Sequence, residues 1–361
     1  MRICLIASSR YPVREPFAGG LEALTHQLAG QLTHRGHDVT LFAGPGADPA
    51  LPVTALPVPT FAASAEAAAD VNAPSREWMA EHHAYLSLMM DLARAGQERF
   101  DVVHNHSLHH LPVAMASLVP VPVITTLHTP PVPWLESAIE VGGAASQFTA
   151  VSDHTARSWA HVAQARPILN GVDVAAWNLG RGGGPAVWTG RLVPEKAPHE
   201  AIDAARAAGL PIVLAGPVQD SVYFSEQVAP RLGPDAVHVG HLDHRALCRL
   251  LGQAAVALVT SRWDEPYGLV AAEAMACGTP VAAYRRGALP ELVVEGTGAL
   301  AVADDPDALA AVVPVALSCD RSDVRRWAEE RLSVSRMVDE YEELYGAAGR
   351  VRQTNAAAVR E

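Results

Sequence analysis

The sequence predicts an α/β protein with two doubly wound parallel sheets. Apolar runs of strand length alternate with amphipathic helical stretches from one end to the other, the pattern of repeated βαβ units. A length of 361 residues favours two domains over one and is ample for a sizeable core in each. Apolar residues make up 49% and charged residues 18%, with 27 Gly and 27 Pro, short of the enrichment that marks disordered or collagenous chains. A soluble globular protein is expected.

In chain order, Arg2–Ala7 reads as a buried strand. Gly19 and Gly20 open a helix in which Leu21, Leu24, Leu28 and Leu32 recur at helical spacing until Gly36 stops it. Val39–Ala43 resumes as a strand. From Gly44 to Pro74 the chain is rich in Ala and Pro without strong periodicity, which predicts a long, partly irregular excursion of the kind that carries specificity. Strands are expected at Asp101–His104, Val121–Leu127 and Phe148–Val151, and Arg166–Asp173 reads as a closing strand with an Asn-Gly turn. The first domain is thus placed at 1–172. Arg181–Pro185, with three consecutive glycines, predicts a linker. A second set of strands follows at Ala186–Thr189, Pro211–Leu214, Ala236–Val239, Val256–Thr260 and Pro280–Ala283, separated by helices such as His199–Ala208 and Arg245–Leu251. The second domain is placed at 173–335. A charged helix around Ser335–Tyr345 closes the chain, and the terminal segment of about 336–361 is free to pack back on the first domain.

Charge narrows the partners. With 27 basic against 39 acidic residues the net charge is −12, which repels a phosphate backbone or an anionic surface unless cations are gathered locally. A nucleic-acid partner is not expected, and any anionic ligand must be held by a few placed cations and backbone N–H groups. Cys4, Cys248, Cys277 and Cys319 form no C-x-x-C pair, so neither a disulfide framework nor a zinc knuckle is predicted and a reducing cytoplasm is the expected compartment. Arg10 cuts the apolar run Met1–Ser8 too short for a signal peptide. Leu111–Ile124, the longest weakly polar stretch, is broken by Pro112, Pro120 and Pro122 and is too short to cross a bilayer. No transmembrane segment is expected; peripheral membrane contact stays open.

Three stretches carry chemistry. Gly19-Gly20-Leu21-Glu22 joins the first strand to the first helix, where bare N–H groups and the positive helix end can approach an anion, although a plain strand-to-helix turn accounts for the same residues. Thr189-Gly190-Arg191-Leu192-Val193-Pro194-Glu195-Lys196 follows the leading strand of the second domain, at the sheet edge where open α/β folds bind ligands. Arg191 and Lys196 together can neutralise a diphosphate, the first by bidentate hydrogen bonds and the second as a point charge. In Glu265-Pro266-Tyr267-Gly268-Leu269-Val270-Ala271-Ala272-Glu273, the proline keeps Glu265 out of the α region, so Glu265 lies in a loop before a helix that ends at Gly278. Glu273 then sits inside an otherwise apolar helix, where a carboxylate is costly unless it hydrogen-bonds, and sugar hydroxyls suit it. Two further groups invite a metal reading. His104, His106, His109 and His110 lack a Cys or carboxylate at ligand spacing, and a strand end with a polar loop explains them better. Asp304-Asp305-Pro306-Asp307 reads as a helix N-cap cluster.

Gly19-Gly20, Arg191, Lys196 and the Glu265-x7-Glu273 segment together resemble the family 4 retaining glycosyltransferases of the GT-B fold, whose two Rossmann-like domains face a cleft. The likeness spans both halves of the chain and extends to Val103-His104-Asn105-His106, Thr126-Leu127-His128, Val151-Ser152, Asn170-Gly171-Val172-Asp173, Leu214-Ala215-Gly216 and Val239-Gly240-His241-Leu242. Trp263-Asp264-Glu265-Pro266-Tyr267-Gly268-Leu269-Val270 is closest to bacterial members of the UDP-glucose type. Ala197 departs from the glycine that commonly follows the loop lysine.

The resemblance implies that Arg191 and Lys196 grip the donor diphosphate, Glu273 the ribose and Glu265 the donor sugar, with His128 beside the transferred sugar. Glu265, His128, Arg191 and Lys196 are its catalytic candidates. It assigns Gly20, Gly240, His241, Leu242, Tyr267, Gly268, Leu269 and Val270 to donor binding, and Gly19, Glu22 and His106 to the acceptor. It further implies transfer of a hexosyl group from a nucleoside-diphosphate sugar, UDP-glucose first, to a small-molecule or glycan hydroxyl with retention, and no metal or other cofactor. A GT-B sugar-nucleotide 2-epimerase and a non-catalytic nucleotide-sugar-binding protein are the alternatives.

Overall fold

The computed structural model describes residues 1–57, 62–142 and 145–358, the last eight of these by backbone alone. Part of the Gly44–Pro74 excursion and the last residues of the terminal segment therefore lie outside the described residues. The chain divides into two compact units, the first Met1–Ala150 with Ser158–Arg166 and Glu340–Glu361, the second Val151–Arg157 with Pro167–Asp339. The chain therefore passes between units at several points, where the sequence suggested single boundaries near 172 and 335.

Among the described residues, the first unit holds seven strands: β1 (Arg2–Ile6), β2 (Asp38–Ala43), β3 (Val53–Ala55), β4 (Val102–Asn105), β5 (Val123–Leu127), β6 (Ser146–Ala150) and β7 (Ala165–Pro167). Their spatial order is β3-β2-β1-β4-β5-β6-β7, with β2 and β4 both parallel to β1. The strands are continuous apolar runs because helices cover both faces of a parallel sheet: Ile3, Cys4, Leu5 and Ile6 are all fully buried. The helix Gly20–His34 lays Leu24, Leu28 and Leu32 into the core and ends before Gly36.

A 24-residue helix, Arg76–Arg99, has no counterpart in the sequence reading. Its signals are ordinary ones. Ser75 Oγ accepts the Trp78 N–H as N-cap, and Ala84, Tyr85, Leu88, Met89 and Leu92 form the buried stripe. Tyr85 also donates its hydroxyl proton to Ala7 O at 2.9 Å, fastening the helix to the end of β1. The short strand β3 was hidden inside the irregular excursion, since an edge strand of three residues leaves no periodicity to read.

The second unit holds β8 (Ala186–Thr189), β9 (Ile212–Ala215), β10 (Ala236–His238), β11 (Val256–Val259), β12 (Val281–Tyr284) and β13 (Gly298–Ala301), in the order β10-β9-β8-β11-β12-β13. Strand order reverses between β8 and β11, just as it reverses between β1 and β4 in the first unit, and ligands of open α/β sheets bind at such switch points. One apolar cluster includes Met275, Leu289 and Val324, another Trp188, Ile202 and Leu309.

Arg181–Pro185 is not a linker. The N–H groups of Gly182 and Gly184 donate to Gly252 O and Gln253 O, and Arg321 caps Gly180 O, so the glycines let this segment lie flat against its own unit. The helix Val334–Ala358 begins in the second unit, where Gly171 N–H meets Met337 Sδ at 3.2 Å, and from Glu340 onward belongs to the first, burying Tyr341 and Tyr345 there. Among the described residues, no helix is long and apolar enough to cross a membrane.

Candidate active site

In the second unit the loops that leave β8 and β11 at the switch point carry the charged residues. The β8 loop closes in a 3-10 turn, Pro194–Lys196. Thr260, just past β11, donates its hydroxyl to Lys196 O and Ala197 O, both at 2.9 Å, and Arg262 N–H donates to Glu195 O at 2.8 Å. These bonds hold the two loops in register, and Lys196 and Glu265 meet as an ion pair. Ser261 Oγ donates to the same carboxylate oxygen, and the Lys196 ammonium lies 5.1 Å from the Trp263 ring centroid. Glu265 is 6% exposed, so this is a nearly dry charge pair whose partners matter. Below it, Glu200 accepts from Arg262 Nε at 2.7 Å and from the Tyr284 hydroxyl at 2.6 Å, anchoring the loop from the side of β12.

Arg191 lies on the same β8 loop and donates to Gln219 Oε1 at 2.7 Å. Next to it the loops of β8, β9 and β10 come together at glycines: Gly216 N–H donates to Gly240 O, and a Cβ on Gly216 would lie 1.7 Å from Gly190 O. His241 is exposed and Leu242 half-buried beyond that turn.

Glu265 lies in the loop before the helix Leu269–Ala276, as Pro266 implied, and Gly268 precedes the first turn. The first N–H groups of that helix, at Leu269 and Val270, have no intrahelical acceptor. Pro266 O is held by the hydroxyls of Ser152 at 2.6 Å and Thr155 at 3.0 Å, and Ala288 N–H donates to Glu265 O at 2.8 Å. The Tyr267 hydroxyl is buried and meets no hydrogen-bond partner among the described residues.

Glu273 lies one turn into the helix. Burial pushes its carboxyl up to about 8 from the ordinary 4.5, an effect that its remaining solvent access tempers. An acid whose folded pKa is raised stabilises the fold below the unfolded value and loses that contribution as pH rises toward the folded one. Stability of the ligand-free protein is therefore expected to fall between pH 4.5 and about 8 through this group. Denaturant titrations across that range should show a shallower decline in Glu273→Gln.

Ala197, the departure from the family pattern, is fully buried and adopts φ +46°, ψ +51°. That left-handed conformation costs an L-residue about 1–2 kcal/mol, and glycine's greater freedom in the unfolded chain offsets part of it. Ala197→Gly is accordingly expected to raise stability by up to about 1 kcal/mol with the Lys196–Glu265 pair intact, as a shift in denaturation midpoint would show.

In the first unit, Gly19 precedes the helix Gly20–His34, Gly20 is exposed at its first position, and Glu22 is buried in its first turn. The histidines separate into two groups. His104 and His106 are fully buried and run in a line to His128: His104 Nδ1 to His106 Nε2 is 3.1 Å and His106 Nδ1 to His128 Nε2 is 3.1 Å. Tyr345 keeps its proton because burial raises it well above the usual range, so its hydroxyl donates to His104 Nδ1 at 2.6 Å. His104 then carries its proton on Nε2 and donates to Thr126 Oγ1 at 2.7 Å. The lone pair of His104 Nδ1 is taken up by Tyr345, so the 3.1 Å approach of His106 Nε2 is a close ring contact, and His106 and His128 meet through Nδ1 and Nε2. Burial lowers His128 to about 3, so it is neutral at physiological pH. His106, expected to touch the acceptor, is fully buried, with its ring nitrogens 3.1 Å from His104 and His128.

Residues 18–176 match the model described as Glycosyltransferase Family 4, and residues 185–331 that described as Glycosyl transferases group 1. A glycogen synthase of Mycobacterium tuberculosis is 30% identical over 87% of this chain and 85% of its own length. The chain belongs to glycosyltransferase family 4. A D-inositol 3-phosphate glycosyltransferase of Mycolicibacterium vanbaalenii is 28% identical over 96% of this chain and 90% of its own. Among solved structures, the Anabaena protein HepE in complex with UDP and glucose superposes with TM-score 0.73 at 19% identity, covering 96% of this chain and all of that one. Sucrose-phosphate synthase of Thermosynechococcus elongatus does so with TM-score 0.72 at 21% identity, covering 98% and 99%. The fold is GT-B.

As a family 4 glycosyltransferase, the chain brings Lys196 and Glu265 into contact and sets Arg191 on the same loop as Lys196. Sequence reasoning missed Thr260 and Ser261. The polar pair directly after an all-apolar β11 was the available signal, since the carboxyl end of a switch-point strand is where such side chains act. Asp305, by contrast, is the expected N-cap, accepting Ala308 N–H at 2.9 Å.

Proposed function

We propose that this glycosyltransferase moves a hexosyl group from a nucleoside-diphosphate sugar, UDP-glucose the first candidate, to an acceptor hydroxyl, with retention and without a metal ion. The Lys196–Glu265 ion pair at the switch point carries the reading. Lys196 has three N–H donors, so it can keep Glu265 and still reach a phosphate oxygen. With Arg191 and the N–H groups of Leu269 and Val270, it would meet the negative charge that grows on the departing diphosphate. Glu273 would take the ribose hydroxyls, Glu265 the sugar, and the Gly240–Leu242 turn the base through its backbone. His128 would face the transferred sugar, and Gly19, Gly20 and Glu22 would serve the phosphates or the acceptor from the first domain. A mycobacterial relative named glycogen synthase and a fold neighbour bound to UDP and glucose support a glucosyl donor.

The test is a thermal-shift panel of UDP, GDP and ADP and their sugars, with and without a chelator. A ligand at a hundred times its Kd adds about 2.7 kcal/mol to folding stability. UDP and UDP-glucose are expected to raise Tm by several degrees, chelator present or not. Absence of any shift, or turnover that stops on chelation, would overturn the proposal. Conversion of a nucleotide sugar in the absence of acceptor would favour the epimerase instead.

A further inference from the structure

We propose that His82, His109 and His110 form a binding site for one ion of the zinc class, in the first unit. It shares no residue with the proposed transfer machinery and stands whether or not that proposal does. His82 comes from the helix Arg76–Arg99, and His109 and His110 from the segment between β4 and the short helix Leu111–Ala114. One ring nitrogen from each lies within 4.8 Å of the other two. Zinc takes imidazole nitrogens at about 2.0–2.1 Å, which for a tetrahedral ion sets them about 3.3 Å apart, so nitrogens now within 4.8 Å of one another close by up to about 1.5 Å when the ion binds. The ring centroids are 5.8 Å apart for His82 and His109, 5.5 Å for His82 and His110, and 4.3 Å for His109 and His110.

A second observation points to a ligand. His82 is half-buried, but its Nδ1 is covered by neighbouring atoms and meets no hydrogen-bond partner among the described residues, which is uncommon for a covered ring nitrogen. Each ring is also braced: Trp78 stacks on His82 at 4.9 Å, Tyr85 on His109 at 4.4 Å and Trp134 on His110 at 4.9 Å. The stacked neighbours cover the faces of the imidazoles and leave the ring edges, where the nitrogens lie, to meet an ion. The opposing term is at His109, whose Nδ1 accepts Leu111 N–H at 3.2 Å. Coordination through its Nε2 moves the ring proton to Nδ1 and breaks that bond. Three neutral imidazoles leave the fourth position to water, and the ion would pin the helix Arg76–Arg99 to the end of β4.

The experiment uses the full chain without a polyhistidine tag, stripped with chelator and dialysed. Calorimetric titration with zinc chloride should show one saturable site per chain and a higher Tm when it is filled. His82→Ala and His110→Ala should each weaken binding about tenfold or more, while His34→Ala, at an exposed helix end, should change nothing. Copper(II) should quench fluorescence from Trp78 and Trp134 in the unmutated protein, a readout independent of whether the variants fold. No saturable binding to the unmutated chain, or binding equally tight in both alanine variants, overturns the proposal.

Discussion

Lys196→Ala should lower kcat/KM for the donor at least tenfold and by about a hundredfold if the ammonium faces the leaving phosphate, the range seen when one preorganised donor is removed. It should also destabilise the protein. Glu265 is nearly buried, and the Ser261 hydroxyl left beside it cannot balance a full charge; orphaning one member of such a pair costs about 3–5 kcal/mol. The two effects separate in a cycle. Adding Glu265→Gln to Lys196→Ala removes the orphaned charge and should restore most of the lost stability while leaving transfer as slow as in the single variant or slower. Activity that recovered along with stability would show that the pair is structural. A wild-type rate in Lys196→Ala itself would count against the whole assignment.

The second large effect is expected at Gly287, which lies against the Glu265 backbone. Gly287 has φ +58°, and a Cβ there would sit 2.3 Å from Glu265 N and 2.4 Å from Glu265 O, backbone atoms that cannot swing aside. Its neighbour Ala288 supplies the N–H that fixes Glu265 O. Gly287→Ala combines a left-handed alanine, about 1–2 kcal/mol, with overpacking of about 1–3 kcal/mol, a large share of the stability of a typical domain. Glu265 would be displaced from Lys196, so turnover should fall with stability. Gly209→Ala is the control. Its φ of +72° carries the same dihedral penalty, yet nothing lies within 4 Å of the added Cβ. Unfolding curves should show a clearly larger loss for Gly287→Ala, and only that variant should lose activity at temperatures where both are folded. Equal losses would mean that the close approach to Glu265 is unimportant.

Much of the fold was legible because parallel strands buried on both faces must be written in continuous apolar residues. β8 was read residue for residue, and β1, β2, β5 and β11 within two residues at either end. What escaped had weak or unread local signals. β3 and β13 are short edge strands, and β13 is Gly-Ala-Leu-Ala, a run without β-branched residues. The helix Arg76–Arg99 did carry a cap and a stripe, but its polar first turns blend into the Ala- and Pro-rich segment before it. The glycines at 182–184 were misread for a different reason. Composition suggested flexibility, whereas tertiary hydrogen bonds to Gly252 and Gln253 use the same absence of side chains for close packing.

The candidate site divides in the same way. Arg191, Lys196, Glu265 and Glu273 stand out as candidates from residue type and their places after strands or within a helix, because the carboxyl end of a strand is legible from local sequence. Local sequence also placed Glu265 ahead of its helix, through Pro266. Only the tertiary structure decided that Lys196 and Glu265 touch, that Ser261 shares the carboxylate, and that His106 is buried against His128. It alone joined His82 to His109 and His110. Propensity and patterning are set by neighbours within a few residues, but a pairing across 69 residues, as for Lys196 and Glu265, exists only once strand order brings β8 and β11 side by side.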